Sequence, residues 1–248
     1  MSSITNSQRA AAKVVGFAYL FVMATSVFAE FYVPTQLFRF DSAAETARNI
    51  VSHEQLFRMG VASNLIGFVV DVVLITALYV VTKPVSQNLA LLAVFWRLLE
   101  TATMIFATLN DFDVLRLLSG AEYLRAFELE RLQSLARLSI AAHGSAYNVG
   151  LLLFGFGSTV FCYLWLKSGF IPRALAALGV FSSVLVGVST FTFILYPDLA
   201  KVISPTCYAP IFVFEMIMGF WLLLKELRQT EIPASNDSSR PTGAADAS

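Results

Sequence analysis

Six long apolar stretches occupy most of this 248-residue chain, and they settle its fold class. They run over residues 14–33, 60–82, 89–109, 138–166, 174–196 and 207–224. A helix needs about 20 apolar residues to cross the roughly 30 Å hydrocarbon core of a bilayer, and each stretch reaches or approaches that length. The sequence therefore predicts an all-α fold, a polytopic membrane helix bundle with six transmembrane helices.

The overall composition agrees with a membrane protein. Hydrophobic residues make up 57% of the chain and charged residues only 14%, whereas a soluble domain carries about 25% charged residues. The 17 basic and 17 acidic residues balance, and the basic ones are scattered rather than grouped on one face. This pattern argues against a nucleic-acid partner and leaves membrane lipid as the expected surrounding.

The basic residues near the apolar stretches predict the orientation of the chain in the cell membrane. Arg9 and Lys13 precede the first stretch, which is long enough to be an uncleaved helix rather than a signal peptide. Six spans place both termini on one side, and the two loops on that side, near residues 83–88 and 167–173, are basic and lack acids. Both termini are therefore predicted to be cytoplasmic.

Domain organisation is simple. Residues 1–228 are predicted to form the six-helix transmembrane domain. The last part of the chain, residues 229–248, is rich in Ser, Pro, Ala and Asp and is predicted to be a disordered polar tail.

The loops on the opposite side contain helix signals. Ser42 followed by Glu45 indicates a helix start, and Ser52 with Gln55 indicates a capping box that opens the second span. Residues 121–138 alternate apolar and charged positions at helical spacing. They predict an amphipathic interfacial helix between transmembrane helices 3 and 4.

Four ionisable residues are predicted to lie near the bilayer midplane. At about 1.5 Å per residue from the cytoplasmic helix ends, they lie roughly 12–17 Å deep; they are Asp71, Arg97, Glu100 and Glu215. Each would be costly alone in hydrocarbon, so they are expected to face inward and to pair. The simplest pairs join Arg97 to Asp71 or to Glu215, with Glu100 one turn along from Arg97.

This midplane cluster has three carboxyl groups and one guanidinium. Either one or two carboxyl groups are protonated, or a cation or bound ligand supplies the missing charge. The cluster is therefore either a structural network that holds helices two, three and six together or a site for a polar substrate or proton.

A second polar cluster is predicted near the opposite face, as the mouth of a cavity. Its members come from four different spans or their ends: Glu30, Arg58, Asn110, Asp111 and His143. His143 is able to shuttle a proton or bind an anion; the alternative is an interfacial histidine bonded to Glu30 or to a backbone carbonyl. A metal site of His143 with Glu30 and Asp111 would require their helices to converge.

Enzyme motifs are missing from the sequence. It contains no zinc-protease, nucleophile-elbow, P-loop or dinucleotide-binding motif, so no catalytic residue, cofactor or metal is predicted. The two cysteines, Cys162 and Cys207, lack the spacing of a zinc or redox pair and are interpreted as buried small hydrophobes. Gly179, Ser183 and Gly187 recur every four residues and predict a face on which another helix packs closely.

The order of short motifs along the chain resembles the bacterial domain-of-unknown-function 4386 family of multi-pass membrane proteins. The resemblance spans about residues 9–225 and rests on the motifs Gly16-Phe17-Ala18-Tyr19-Leu20, Ala29-Glu30-Phe31, Leu56-Phe57-Arg58-Met59-Gly60, Lys83-Pro84-Val85, Phe95-Trp96-Arg97-Leu98-Leu99-Glu100, Leu118-Ser119-Gly120-Ala121-Glu122 and Lys167-Ser168-Gly169-Phe170-Ile171-Pro172-Arg173. It implies a six-helix integral membrane protein of unassigned activity. It also implies that Arg58, Asp71, Arg97, Glu100 and His143 occupy positions shared by the family, and it supplies no catalytic residue.

Two functions of different classes are consistent with the sequence. One is a small-solute or proton-coupled permease that uses the midplane carboxylates. The other is a non-transporting membrane sensor, scaffold or lipid-binding module that acts through the helix at 121–138 and has a structural charge network. A small molecule retained on purification would favour the first, and a stoichiometric protein partner the second.

Overall fold

A computed structural model describes residues 4–225 and 227, with the side chains of residues 200–205 outside this description. The predicted disordered tail, residues 229–248, lies outside the described residues. Within the described part, six helices are long and apolar enough to cross a membrane. They are span 1 (Asn6–Leu37), span 2 (Glu54–Thr82), span 3 (Gln87–Leu117), span 4 (Leu129–Ser168), span 5 (Arg173–Leu195) and span 6 (Thr206–Leu224, the apolar part of a helix Pro197–Leu224). The predicted fold class of six transmembrane helices is confirmed.

The six spans form a closed ring. Each span packs against the next one in the sequence, and span 1 packs against span 6 to close the circle. A ring of six helices has an interior that every helix faces. This arrangement leaves a cavity at the centre of the molecule.

Large apolar side chains on all six spans point outward. Examples are Phe17, Val69, Phe106, Phe156, Phe181 and Phe220, which are each at least half exposed. The interior instead contains buried polar residues such as Asp71, Arg97, Glu100 and Thr101. This distribution suits a surface in contact with lipid, where exposed apolar side chains carry no cost.

Spans 4 and 5 approach each other closely at two glycines. A Cβ atom built on Gly155 would lie 2.6 Å from the Cα of Gly187, so the two backbones touch with no side chain between them. Gly179 is covered by the ring of Phe214 on span 6, and Ser183 lies 3.8 Å from the thiol of Cys162. The prediction that the face of Gly179, Ser183 and Gly187 packs closely against another helix is confirmed. Cys162 is buried as predicted, whereas Cys207 is only partly buried.

Replacing Gly155 with alanine is expected to lower the free energy of unfolding by about 1–3 kcal/mol, because the added methyl forces two backbones apart. Thermal unfolding in one detergent measures the change. A methyl group added to Gly144, on the same helix, would have no neighbouring atom within 4 Å, so Gly144→Ala is the matched control and should melt at or slightly above the wild-type temperature. Equal melting temperatures for both variants would contradict the close packing of spans 4 and 5.

The loop between spans 1 and 2 contains a short helix, Ala43–Ser52. Its N-cap is Ser42, whose hydroxyl accepts a hydrogen bond from the backbone N–H of Glu45 at 3.2 Å, as predicted. The predicted capping box at Ser52 is wrong. Ser52 ends this helix, and span 2 begins after His53, whose side chain makes no cap hydrogen bond but contacts the carbonyl of Asn49.

The loop between spans 3 and 4 does not contain the separate amphipathic helix predicted over residues 121–138. It has one 3₁₀ turn, Glu122–Leu124, and residues from Leu129 onward already belong to the 40-residue helix of span 4. The apolar positions Leu132, Ala136 and Ile140 are buried and follow one face of that helix. Because the helix packs against the helix Ala43–Ser52, its amphipathic pattern reflects contact with protein rather than a helix lying on the membrane.

Span 1 changes its winding near its C-terminal end. Residues Val27–Tyr32 form a π-helical segment that contains Glu30. Pro34 follows this segment. Because proline has no backbone N–H, it cannot donate the helical hydrogen bond to the carbonyl of Glu30, four residues earlier. A π-bulge of this kind widens the helix and often marks a functional site.

Candidate functional site

A central cavity of about 340 Å³ occupies the interior of the ring. Its walls include at least one side chain from each of the six spans: Tyr19, Asp71, Arg97, Tyr147, Val186 and Glu215. All four residues of the predicted midplane cluster line it. They lie roughly 14–20 Å along their helices from the helix ends at Thr82, Gln87 and Leu224, at about 1.5 Å per residue.

Arg97 is the centre of the midplane cluster. Its Nη2 donates to Oδ1 of Asp71 at 2.7 Å, and its Nη1 lies 3.1 Å from Oε2 of Glu100. The hydroxyl of Thr101 donates to the second oxygen of Asp71 at 2.7 Å. Of the two pairings that the sequence allows, the structure therefore contains the one between Arg97 and Asp71.

Span 4 is built to receive the Arg97 side chain. Gly157 leaves the space through which it passes, since a Cβ there would lie 2.8 Å from Cγ of Arg97. Nη1 of Arg97 donates to the Ser158 hydroxyl at 3.3 Å, and the guanidinium carbon lies 4.5 Å from the centre of the Phe154 ring. Such a cation–π contact is strongest where water is absent. The guanidinium thus joins spans 2, 3 and 4.

Glu215 differs from the other two acids of the cluster. It lines the same cavity from span 6, but no hydrogen bond or ion pair joins its carboxyl group to any other described residue. Asp71 and Glu100 are fixed by Arg97, whereas Glu215 faces the open space. The cavity therefore contains one acidic group that the fold itself does not use.

The outer cluster is organised around His143. Its Nδ1 lies 3.0 Å from Oδ2 of Asp111 on span 3, and its Nε2 lies 3.5 Å from Oε2 of Glu30 on span 1. The amide of Asn64 on span 2 donates to the other oxygen of Glu30 at 2.6 Å. These residues line a second cavity of about 210 Å³. The imidazole therefore lies between Glu30, the partner that the alternative interpretation named, and Asp111, within ion-pair distance of both.

Two members of the predicted outer cluster lie elsewhere. Arg58 is exposed and pairs with Glu54 one turn back on its own helix, at 2.6 Å. Asn110 donates to the backbone carbonyl of Ala107 at 3.0 Å. Arg58 is oriented away from His143 because it lies on the exposed face of span 2, whose inward face carries Gly60 and Asn64.

The converging carboxylates around His143 do not form a metal site. They contact opposite nitrogens of the imidazole ring, so both of them and the ring cannot share one ion. Within residues 4–225 and 227, no three His, Cys, Asp or Glu side chains are arranged to hold a metal. The geometry therefore does not support a metal site made of His143, Glu30 and Asp111.

Sequence reasoning missed several polar side chains of the site. Asn64, Tyr147 and Tyr208 each line one of the two cavities, and Thr101 donates a hydrogen bond to Asp71. A signal for Asn64 was present: Gly60, Asn64, Gly67 and Asp71 are all buried and follow one face of span 2. Small and polar residues on one stripe of an apolar helix indicate the face that looks inward.

The two cavities lie one above the other along the ring. Arg97 and Asp111 are 14 residues apart on span 3, which corresponds to about 21 Å of helix. Glu30 contributes to the walls of both cavities. Polar groups therefore extend from the outer cluster to the midplane cluster, with the π-helical segment of span 1 at the junction.

Comparison with known proteins gives a family and no activity. Neither the search of curated proteins nor the search of solved structures found a match. The family model for a domain of unknown function, DUF4386, matches residues 14–225, which is most of the chain. With its six membrane-spanning helices and its buried charge network, this chain belongs to the DUF4386 family.

Proposed function

We propose that this membrane protein is a small-solute or proton-coupled permease whose central cavity is the binding site. The observation that carries the proposal is Glu215, an acid in the middle of a membrane-spanning helix that faces a cavity of about 340 Å³ without a partner among the described residues. Ionisable residues inside a membrane are expensive and usually serve a pathway or a ligand.

A purely structural role explains only part of the cluster. Asp71 and Glu100 both pair with Arg97 and connect spans 2 and 3. Glu215 makes no such connection, and a glutamine or leucine would fill its place without the cost of a buried carboxyl group. A ligand or proton that binds in the cavity gives Glu215 a reason to be there.

The second cavity supplies an approach to the first. With both termini in the cytoplasm, the cluster of His143, Asp111 and Glu30 faces the outside, and Glu30 links it to the central cavity. A histidine between two carboxylates is suited to pass a proton between them. This arrangement supports a permease in which a proton accompanies or replaces the solute.

The sensor or scaffold alternative has less support. It relied on a separate amphipathic helix over residues 121–138, which in the structure are a 3₁₀ turn and the first turns of span 4. A scaffold would also leave the central cavity without a role. We therefore prefer the permease.

Transport by the purified protein in liposomes tests the proposal. Proteoliposomes adsorbed on a solid support are perfused with amino acids, sugars, carboxylates and organic amines while the current is recorded, and a trapped pH-sensitive dye reports proton exchange. At least one solute class is expected to give a signal that protein-free liposomes lack. Glu54→Gln, which removes an exposed acid at the outer end of span 2, is the control and should keep the signal.

A lack of any protein-dependent signal would contradict the proposal. If every solute class gives the response of protein-free liposomes in both assays, the permease proposal fails. A protein partner that remains bound in stoichiometric amount through purification in mild detergent would then favour the sensor or scaffold.

A further inference from the structure

We propose that the ligand of the central cavity is a small organic ammonium ion, which deepens and rests on the proposed function. Three properties of the cavity lead to this substrate class: the aromatic character of its walls, its excess of carboxyl groups, and a buried carboxyl oxygen of Glu100 that the fold leaves without an aligned hydrogen bond.

Aromatic rings form a third of the cavity wall, seven of its 21 residues. They come from spans 1, 2, 4 and 6 and therefore surround the space, with Tyr19, Tyr147 and Tyr208 on three different helices. Phe31 and Phe212 pack edge to face at a centroid distance of 5.8 Å and form one corner. Aromatic rings gathered around a cavity are the usual means by which proteins bind quaternary ammonium groups.

The cavity already holds one cation on one of its rings. The guanidinium of Arg97 lies over Phe154 at 4.5 Å, so the interior is compatible with a positive charge against an aromatic face. Arg97 pairs with Asp71 and Glu100, however, and makes no hydrogen bond to Glu215. A second positive charge therefore has a vacant carboxyl group to approach.

The charge balance of the walls favours a cation. Asp71, Glu100 and Glu215 face the space together with a single guanidinium, so an anionic ligand would add to an existing excess of acids. A neutral sugar would need many hydrogen-bond partners, and most of the wall consists of aliphatic and aromatic side chains. An ammonium ion with apolar substituents satisfies both the carboxyl groups and the rings.

Two buried polar atoms in the walls are unsatisfied. Nε of Arg97 makes no hydrogen bond to the described residues, and Oε2 of Glu100 makes only the ion pair with Arg97 and no aligned hydrogen bond. Both side chains are more than nine-tenths buried. Oε2 of Glu100 can accept a hydrogen bond from a ligand hydroxyl or N–H, whereas the Nε–H of Arg97 is a donor and does not itself favour a cation.

The volume of the cavity limits the size of the ligand. At about 340 Å³, it lies at the lower end of the range for small-molecule sites. Choline is a suitable probe because it combines a trimethylammonium group with a hydroxyl group. Its uncharged carbon analogue, 3,3-dimethylbutan-1-ol, has the same shape and lacks only the charge.

Binding of these two probes to the full-length protein in detergent tests the proposal. Isothermal titration in an amine-free buffer should give a dissociation constant for choline at least about tenfold lower than for 3,3-dimethylbutan-1-ol, the effect of one desolvated cation–π contact. Glu215→Gln should reduce the preference, because the rings remain but the carboxyl group opposite the ammonium is neutral. Phe212→Leu should weaken choline binding, while Phe220→Leu, an outward-facing ring on the same span, should leave it unchanged.

The result that overturns the inference differs from the one that overturns the permease. Equal binding of the two probes, or no binding of choline to a protein that melts cooperatively, rejects the ammonium ligand. If another solute class still gives a protein-dependent signal in liposomes, the proposed function stands with a different substrate. If no class does, both are rejected.

Discussion

Replacing Arg97 with methionine is expected to lower the free energy of unfolding by about 3–5 kcal/mol, the cost of removing one partner from a buried ion pair. Methionine has a similar length and fits beside Gly157, so the loss comes from charge rather than from volume. Asp71 and Glu100 would be left buried without a counter-charge, and the contacts that join spans 2, 3 and 4 would be lost. Thermal unfolding in one detergent measures the effect.

A matched control is available on the same helix. Arg116 is exposed and pairs with Asp113 at 3.0 Å, and Arg116→Met should change stability by no more than about 0.5 kcal/mol. The double variant Arg97→Met with Asp71→Leu should recover part of the loss, because it removes a stranded charge. If Arg97→Met melts at the temperature of Arg116→Met, Arg97 does not hold the ring together.

The variant Glu215→Gln is expected to melt at the wild-type temperature or above it, and to lose the solute-dependent signal in liposomes. Its carboxyl group makes no hydrogen bond or close ion pair to the described residues, so neutralisation removes only its longer-range attraction to Arg97, and the cost of burying a carboxyl group disappears. Residues that serve function at the expense of stability behave in this way.

Asp71→Asn provides the comparison for Glu215→Gln. Asp71 accepts hydrogen bonds from Arg97 and Thr101, both at 2.7 Å, so its neutralisation should lower the melting temperature. An early melt of Glu215→Gln equal to that of Asp71→Asn would mean that Glu215 belongs to the structural network. The main support for the permease would then be lost.

The sequence was sufficient to predict the parts of this fold that depend on the thickness and low polarity of the bilayer core. Apolar length determined the six spans, and the cost of charge in a bilayer placed Asp71, Arg97, Glu100 and Glu215 inside the bundle, where all four line one cavity. The small-residue face on span 5 was also readable, because only close packing explains glycine and serine at that spacing.

The remainder depended on how helices pack, which one sequence does not specify. The closed ring, with span 1 against span 6, is set by contacts such as that of Gly16 with the backbone of Gly219, more than 200 residues apart. Arg58 was grouped with His143 by its depth alone, whereas the direction in which a side chain points depends on the rotation of its helix. The pattern at 121–138 was interpreted as contact with membrane, but part of it is contact with the helix Ala43–Ser52.

Access of water-soluble ions to the interior of the ring is the most direct test of the central claim. Ile211 lines the cavity and Val213 faces outward on the same span; each is replaced by cysteine in a background of Cys162→Ala and Cys207→Ser. The proteoliposomes are treated with the membrane-impermeant thiol reagent 2-(trimethylammonium)ethyl methanethiosulfonate, and modification is followed by mass spectrometry. The expected result is modification at position 211 and none at 213. Equal modification at both positions, or none at either, would contradict a solute-accessible cavity at the centre of the six spans.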